Sequence, residues 1–572
     1  MRLVSPPGLR RALAAARARP LVAVAVGGLL VAALNIWWVA AHRRLGALTI
    51  DEVGYMATGL GYHRALRADG PAELLRQVFL PSPTGPLVPV LSVPALIAGP
   101  RSITTLFATQ TLIGVLAAVA AAGCSLRIAG RGAAMLTGLV VLSLPGMIGS
   151  ARSYQYAAAV GACMLLALWA LLCSDRGSSR WHMVGFGAAV GAMLLARSMA
   201  LGFVPGLAIA SLIVIRKDRR AWTNLAWSVL AVVAVAGPWW WASRGPLFDY
   251  LFRYGYGDQA REYGSGGFLT RAVERWIEVG TDVRLPYVLL GIACVGVSLA
   301  VAVAGARGTS PSRWWRSHRE LLAVTSVVVV GVVALMSTAN VGVWFELPLE
   351  LVAAVGIVSA GAVAGRRELR LVGRLAAITA VATLVVSATD PGGQDHPGGA
   401  RGVVQALVYS NVHDFYWDVA AADPQLSSND PRVRNAAADA WWAAALHTTE
   451  RLEAMRAEDD SLLVTASGAS QLLHGQTLRL VRQLELLPEV DTEEVDSTAP
   501  IDDLLPHLDP SPDGRRRVLV LMQPNSKLFP PDREVARLAT LARDHGWQVV
   551  DRVELPDGGH VEILDTPQER AR

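Results

Sequence analysis

What most limits the fold of this chain is a series of apolar runs, each close to the ~20 residues a helix needs to cross a hydrocarbon core. The first extends from about Pro20 to Ala41, and others follow at about 102–126, 132–149, 155–173, 182–198, 200–215, 222–242, 286–305, 321–337, 345–364 and 375–388. Read as one crossing each, they predict a polytopic α-helical membrane protein with about eleven transmembrane helices. Composition agrees: 52% of the 572 residues are hydrophobic and 17% charged, against roughly 25% charged in an average soluble domain.

The charges that remain set a topology. Arg2, Arg10, Arg11, Arg17 and Arg19 precede the first run, which is too long for a signal-peptide core and reads as a retained anchor. Arg127/Arg131, Arg176/Arg180, Arg216 to Arg220, Arg313/Arg316/Arg319 and Arg366 to Arg370 all fall on the side of the N-terminus if every run crosses once. That expectation puts residues 1–19 in the cytoplasm. Residues 20–388 then form a transmembrane domain with outer loops at 42–101 and 243–285, and the tail 389–572 lies outside. The net charge of +5 sits in these loops, so nucleic acid is not an expected partner. Cys124, Cys163, Cys173 and Cys294 lie in apolar stretches at no metal-ligand spacing. Lysine is scarce and Ala and Arg abound, as in a GC-rich bacterial genome.

Two segments depart from the transmembrane pattern. In the first outer loop, Tyr62 to Leu66 and Ala72 to Phe79 have helical spacing with one apolar face, suited to lying in the interface, and Pro81-Ser82-Pro83-Thr84-Gly85-Pro86 demands a turn. The tail opens on a Gly/Pro/His linker, Pro391 to Gly399. Asp430-Pro431 then caps a helix carried to about Glu458. Apolar stretches at 462–465, 518–522 and 547–553, with helices near 469–485 and 532–545, predict a soluble α/β domain. The glycine of Ala466-Ser467-Gly468-Ala469 lacks the dinucleotide fingerprint.

Candidate chemistry gathers at the outer ends of the runs, where ionisable groups are costly and therefore informative. Asp51 and Glu52 are adjacent carboxylates just past the first run; a solvated loop is the plain alternative. Arg101, Arg152 with Tyr154 and Tyr156, Arg197 and Arg244 (after Trp239-Trp240-Trp241) are cations there, and each reads equally as an interfacial snorkeler. Arg197 stands between two apolar runs with no other charge nearby, on the side where orientation needs no cation; a bound anion explains it economically. Phe248 to Asp258, with Tyr254 and Tyr256, can stack sugars or simply pack. Glu346 and Glu350 lie one helical turn apart where the run at 345–364 begins.

The order of these features resembles the membrane glycosyltransferases of the GT-C superfamily, in the branch of protein mannosyltransferases and aminoarabinose transferases. Asp51-Glu52 with Tyr55 matches its acidic motif, and Gly85-Pro86-Leu87 matches its Pro-Pro-Leu turn loosely. Gly185 through Arg197 matches its Gly-rich fifth span. Pro238-Trp239 matches its Pro-Trp, and Phe345-Glu346-Leu347-Pro348 its Tyr-x-Leu-Pro. The likeness covers roughly residues 20–388. Ser82 and Thr84 stand where the family often has a lysine, and Gln155-Tyr156 where it often has an acid.

The resemblance implies sugar transfer from a polyprenyl-phosphate donor to a glycan, lipid or protein acceptor of the cell envelope, at the plasma membrane and among its lipids. Asp51 would be the catalytic base, with Glu52 supporting it or helping bind a divalent cation, Mg or Mn. Arg197, Arg152 and Arg244 would hold the donor phosphate, and Tyr55, His63, Tyr154, Tyr254, Tyr256 and Glu346 would contact substrate. A transporter or flippase of lipid-linked sugars should show an internal repeat and charges at the midplane, and neither is apparent. A polysaccharide polymerase or ligase needs arginines in a large late loop, a place the 243–285 loop can fill.

Overall fold

The apolar runs fold as helices, though not all as single crossings. The computed structural model describes residues 18–257, short stretches within 270–303, residues 318–389 except 339, 341–343, 365 and 366, and residues 422–565 except 459–461, 468–471, 489, 496–500, 510–514 and 524–531. The basic N-terminus before residue 18, most of the 243–285 loop, the 391–399 linker and half of the run at 286–305 therefore lie outside the described residues.

In chain order the membrane region contains α1 (Pro20–His42), α2 (Ile50–Ala68), α3 (Pro71–Val78), α4 (Leu87–Ala98), α5 (Ile103–Ala129), α6 (Arg131–Ser143), α7 (Pro145–Ala151), α8 (Ala157–Cys173), α9 (Arg180–Ala196), α10 (Val204–Val214), α11 (Arg219–Ala242), α12 (Arg244–Gly255), α13 (Arg319–Ser337), α14 (Leu347–Ala364) and α15 (Arg367–Ala388). Among the described residues, six of these are long and apolar enough to cross a membrane: α1, α5, α11, α13, α14 and α15. Against the eleven expected for the whole chain, the described residues hold six candidate crossings, or seven if α6 and α7 form one bent crossing.

The reason is local. The run at 132–149 breaks before Pro145, which has no N–H to continue the ladder, and α6 and α7 meet at 59°. The runs at 155–173 and 182–198 give helices of 17 residues, and that at 200–215 gives a short 3-10 stretch followed by an 11-residue helix. Hydropathy counts apolar residues without seeing what covers them. Most of α8 is buried in protein rather than lipid. Close helix contact needs small residues: a Cβ at Gly187 of α9 would run into the Ser228 carbonyl of α11.

The tail is an α/β domain, as expected. Its helices are α16 (Pro431–Glu458), α17 (Gly475–Leu484), α18 (Ile501–Leu508) and α19 (Asp532–Asp544), and its strands β1 (Leu463–Ser467), β2 (Asp491–Val495), β3 (Arg517–Gln523), β4 (Gln548–Glu554) and β5 (His560–Asp565). The sheet order is β2-β1-β3-β5-β4, with β1 parallel to β2 and β3, and β5 antiparallel to β3 and β4. The Asp430 cap forms, its Oδ1 accepting from the Arg432 N–H at 2.9 Å. β2 escaped the sequence reading because Asp-Thr-Glu-Glu-Val is an edge strand with almost no apolar signal.

Tail and membrane region pack together around the first outer loop. The 3-10 turn Leu45–Ala47 lies on α16, with Gly46 so close to the Ala438 carbonyl that no side chain fits, and Ala47 joins the tail's own core. α17 runs along α2: Arg64 donates to the Leu487 carbonyl at 3.2 Å and Arg101 to that of Gln483 at 2.6 Å.

Candidate active site

α2 starts at a capping box. Thr49 Oγ1 accepts from the Glu52 N–H at 3.4 Å, while Glu52 Oε2 accepts from the Thr49 N–H at 3.1 Å. This places Asp51 in the first turn, pointing away from the box, at the helix end whose dipole favours a negative charge. Asp51 is exposed as a residue, yet protein surrounds its carboxylate closely. Burial is the largest influence raising its pKa above the ordinary carboxylate value; Arg197 opposes, Glu52 adds to the rise, and a hydrogen bond from Tyr55 opposes it again. An accessible group with an enclosed surrounding lines a recess.

Arg197 comes to that recess from the end of α9. Its backbone leaves the helix in an extended conformation (φ −154°), and its guanidinium lies 4.5 Å from the centre of the Phe345 ring. Burial disfavours its charge, but Tyr250, Tyr55 and Asp51, with a hydrogen bond to Tyr250, more than offset this. The Pro-rich turn supports this corner: a Cβ at Gly85 would strike the Leu195 carbonyl, and Ser198 Oγ donates to the Pro83 carbonyl at 3.4 Å. Tyr55 packs against Tyr156 with ring centres 4.1 Å apart. Asp51, Tyr55, Arg197 and Tyr250 thus converge from α2, the α9 terminus and α12.

The other expected site residues have different surroundings. Glu52 is fully buried, and Arg43 Nη2 donates to both its oxygens at 2.8 and 2.7 Å; the Tyr154 N–H adds a bond at 3.1 Å. It ties the end of α1 to α2 and to the turn after α7. Arg152 is buried with Nε on Asn35 Oδ1 (2.9 Å), Nη2 on the Ser387 carbonyl (3.0 Å) and its guanidinium 4.1 Å over Trp38. Arg244 is exposed and folds back onto Trp241, donating to its carbonyl at 2.8 Å. Neither arginine joins Arg197.

Tyr154 is buried with its hydroxyl 2.5 Å from that of Ser92. His63 lies further along α2, toward the tail. Tyr254 belongs to α12, but its side chain is outside the described residues. Tyr256 is exposed, its hydroxyl 3.4 Å from Ser337 Oγ. Glu346 is buried beside Phe345 at the foot of α14. Arg43 went unnoticed in the sequence, and Tyr250 and Phe345 stood there only as members of the aromatic loop and of the Phe345-Glu346-Leu347-Pro348 motif; the pattern Thr49-x-x-Glu52 carried the signal that Glu52 serves its own helix.

The cation expected at Asp51 and Glu52 does not fit this geometry, because Arg43, Thr49 and Tyr154 already occupy the Glu52 carboxylate. Among the described residues, no group of three or more His, Cys, Asp or Glu is placed to hold a metal ion.

No protein-family model matches the sequence, and no curated protein matches it either. Solved structures do. The crystal structure of ArnT from Cupriavidus metallidurans bound to undecaprenyl phosphate aligns over 96% of this chain and 98% of its own, with a TM-score of 0.52 and 15% identity. The chain shares the fold of this ArnT. The apo form of the same ArnT agrees, with a TM-score of 0.53, 16% identity and coverage of 96% and 99%. The Archaeoglobus fulgidus oligosaccharyltransferase in complex with Zn and sulfate aligns over 72% of this chain and 56% of its own, with a TM-score of 0.38 and 13% identity. The match to ArnT also extends beyond residue 388, so it takes in the tail that the sequence resemblance left out.

Proposed function

We propose that this protein is a membrane glycosyltransferase that moves a sugar from a polyprenyl-phosphate carrier to a hydroxyl-bearing acceptor of the cell envelope, with Asp51 as general base and Arg197 as the donor-phosphate ligand. The observation that carries the reading is the meeting of an accessible, enclosed carboxylate with a buried-edge arginine in one recess. The fold shared with an ArnT that binds undecaprenyl phosphate supports a carrier of that chemistry.

The chemistry follows from charge. As the acceptor oxygen attacks the anomeric carbon, its proton passes to Asp51, and the bond from that carbon to the phosphate oxygen breaks. The departing lipid phosphate gains negative charge, which Arg197 meets from a fixed position. Tyr55 holds the Asp51 carboxylate by its hydroxyl, and Tyr250 with Phe345 fixes the guanidinium. A raised pKa makes Asp51 a stronger base, and the transfer rate is expected to fall as pH drops through it, because the protonated acid cannot accept a proton.

Arg197→Ala is expected to weaken binding of a polyprenyl phosphate ~10- to 100-fold, the range of a charge-assisted hydrogen bond lost from a shielded site. Titration of the purified protein with the carrier lipid measures this. Wild-type affinity in the variant would remove Arg197 from the donor site.

The reading also places the N-terminus in the cytoplasm and the tail outside, on the strength of the basic clusters. Cysteines introduced between residues 535 and 560 should then react with an impermeant reagent in intact cells. Reaction only after lysis contradicts that orientation.

A further inference from the structure

A second group of cations lies along α2 from Asp51, at the seam between the first outer loop and the tail. His63 follows Asp51 by twelve residues, a distance of about 18 Å along the helix. The His63 side chain is shielded just beneath the surface, at 6% exposure, and neither ring nitrogen has a hydrogen-bond partner. Arg101, at the entry to α5, spends Nη2 on the Gln483 carbonyl of the tail, while its Nε is buried without an acceptor.

The charges that act on these groups, among the described residues, are cations: His63 feels Arg101 and Arg67, and Arg101 feels Arg64. Across the seam, Arg479 of α17 lies against Gly61 and acts on Tyr62. Buried polar nitrogens without partners, set among like charges, are costly unless something compensates them. The missing partner is an acceptor carrying negative charge. A guanidinium fork suits the geometry of phosphate oxygens, and an imidazole N–H is a further donor to them.

We infer that this seam binds a phosphate-type oxyanion, held by Arg101, His63 and Arg67, which bridges the outer loop to α17 of the tail. The site is distinct from the Asp51 recess and does not depend on sugar transfer. Its ligand is a phosphate group, either free, on a soluble molecule, or in the headgroup of an anionic lipid. Occupancy neutralises the repulsion among the arginines and fastens the tail to the helix that carries Asp51.

The test uses the full-length protein in detergent, with melting followed by tryptophan fluorescence and inorganic phosphate titrated against sodium chloride at matched ionic strength. Wild type is expected to show a saturable rise in melting temperature, as for any ligand that binds only the folded state. Arg101→Gln and His63→Gln should each raise the half-saturating concentration at least ~10-fold, the loss of one charge-assisted contact. His63→Gln carries the test alone if Arg101→Gln does not fold. The same titration in phosphatidylcholine and phosphatidylglycerol nanodiscs identifies the source. Suppression of the phosphate response only by phosphatidylglycerol assigns an anionic lipid headgroup, and persistence in both assigns a soluble phosphate. Absence of a saturable response in detergent-solubilised wild type, or an unchanged half-saturating concentration in the folded variants, overturns the inference.

Discussion

Replacing Asp51 with Asn is expected to slow sugar transfer ~10²- to 10⁴-fold, the usual contribution of a general base, without loss of folding stability. Asn keeps the shape of the side chain and a partner for the Tyr55 hydroxyl, but it cannot take a proton from the acceptor. The stability half of the prediction follows from sign. Burial first, and Glu52 in addition, push the Asp51 pKa up in the folded state, with Arg197 and Tyr55 pulling against them. Above that raised value the ionised carboxylate is less at ease folded than unfolded, so at neutral pH Asp51 costs stability. Asn removes that cost. A variant that loses activity and melts at or above the wild-type temperature separates a catalytic role from a structural one.

The opposite signature is expected one residue later. Glu52 and Arg43 form a buried pair with side-chain exposures of 0% and 2%, and removing one partner of such a pair typically costs about 3–5 kcal/mol because the other charge is left stranded. Glu52→Gln should destabilise the protein by that order, with part of the loss coming from the reciprocal cap at Thr49. Adding Arg43→Met to Glu52→Gln should recover a share of it, since the stranded cation is then gone. Denaturation of the two variants and of the single Arg43→Met reads the coupling directly. A well-folded Glu52→Gln within about 0.5 kcal/mol of wild type, the range of an ordinary surface change, would return Glu52 to the list of groups that act on substrate.

These two carboxylates show what a sequence can and cannot reveal here. Asp51 was legible because it stands just beyond an apolar run, and Arg197 because it interrupts apolar sequence on the side where positive charge is unnecessary. The glutamate beside Asp51 carries the same signal but has a partner nine residues earlier, and only the Thr49-x-x-Glu52 spacing distinguishes them. Arg152 looked like Arg197 for the same reason, yet its partners Asn35 and Ser387 lie 117 and 235 residues away, beyond any local pattern. Tyr250 and Phe345 join Arg197 from separate segments, so no spacing announces them. The fold class was written in the apolar runs. The course of each run was less so: those at 132–149 and 200–215 each divide into two shorter helical pieces, a break that apolar content alone does not announce.

The most direct test of Asp51 is sugar transfer from a polyprenyl-phosphate donor by the purified, membrane-reconstituted protein. Wild type is predicted to transfer sugar. Asp51→Asn should bind the donor with unchanged affinity and show an intact melt, while its rate is ~1% of wild type or lower. A folded Asp51→Asn that transfers sugar at the wild-type rate would contradict the base assignment and, with it, the reading of this recess as the reaction site.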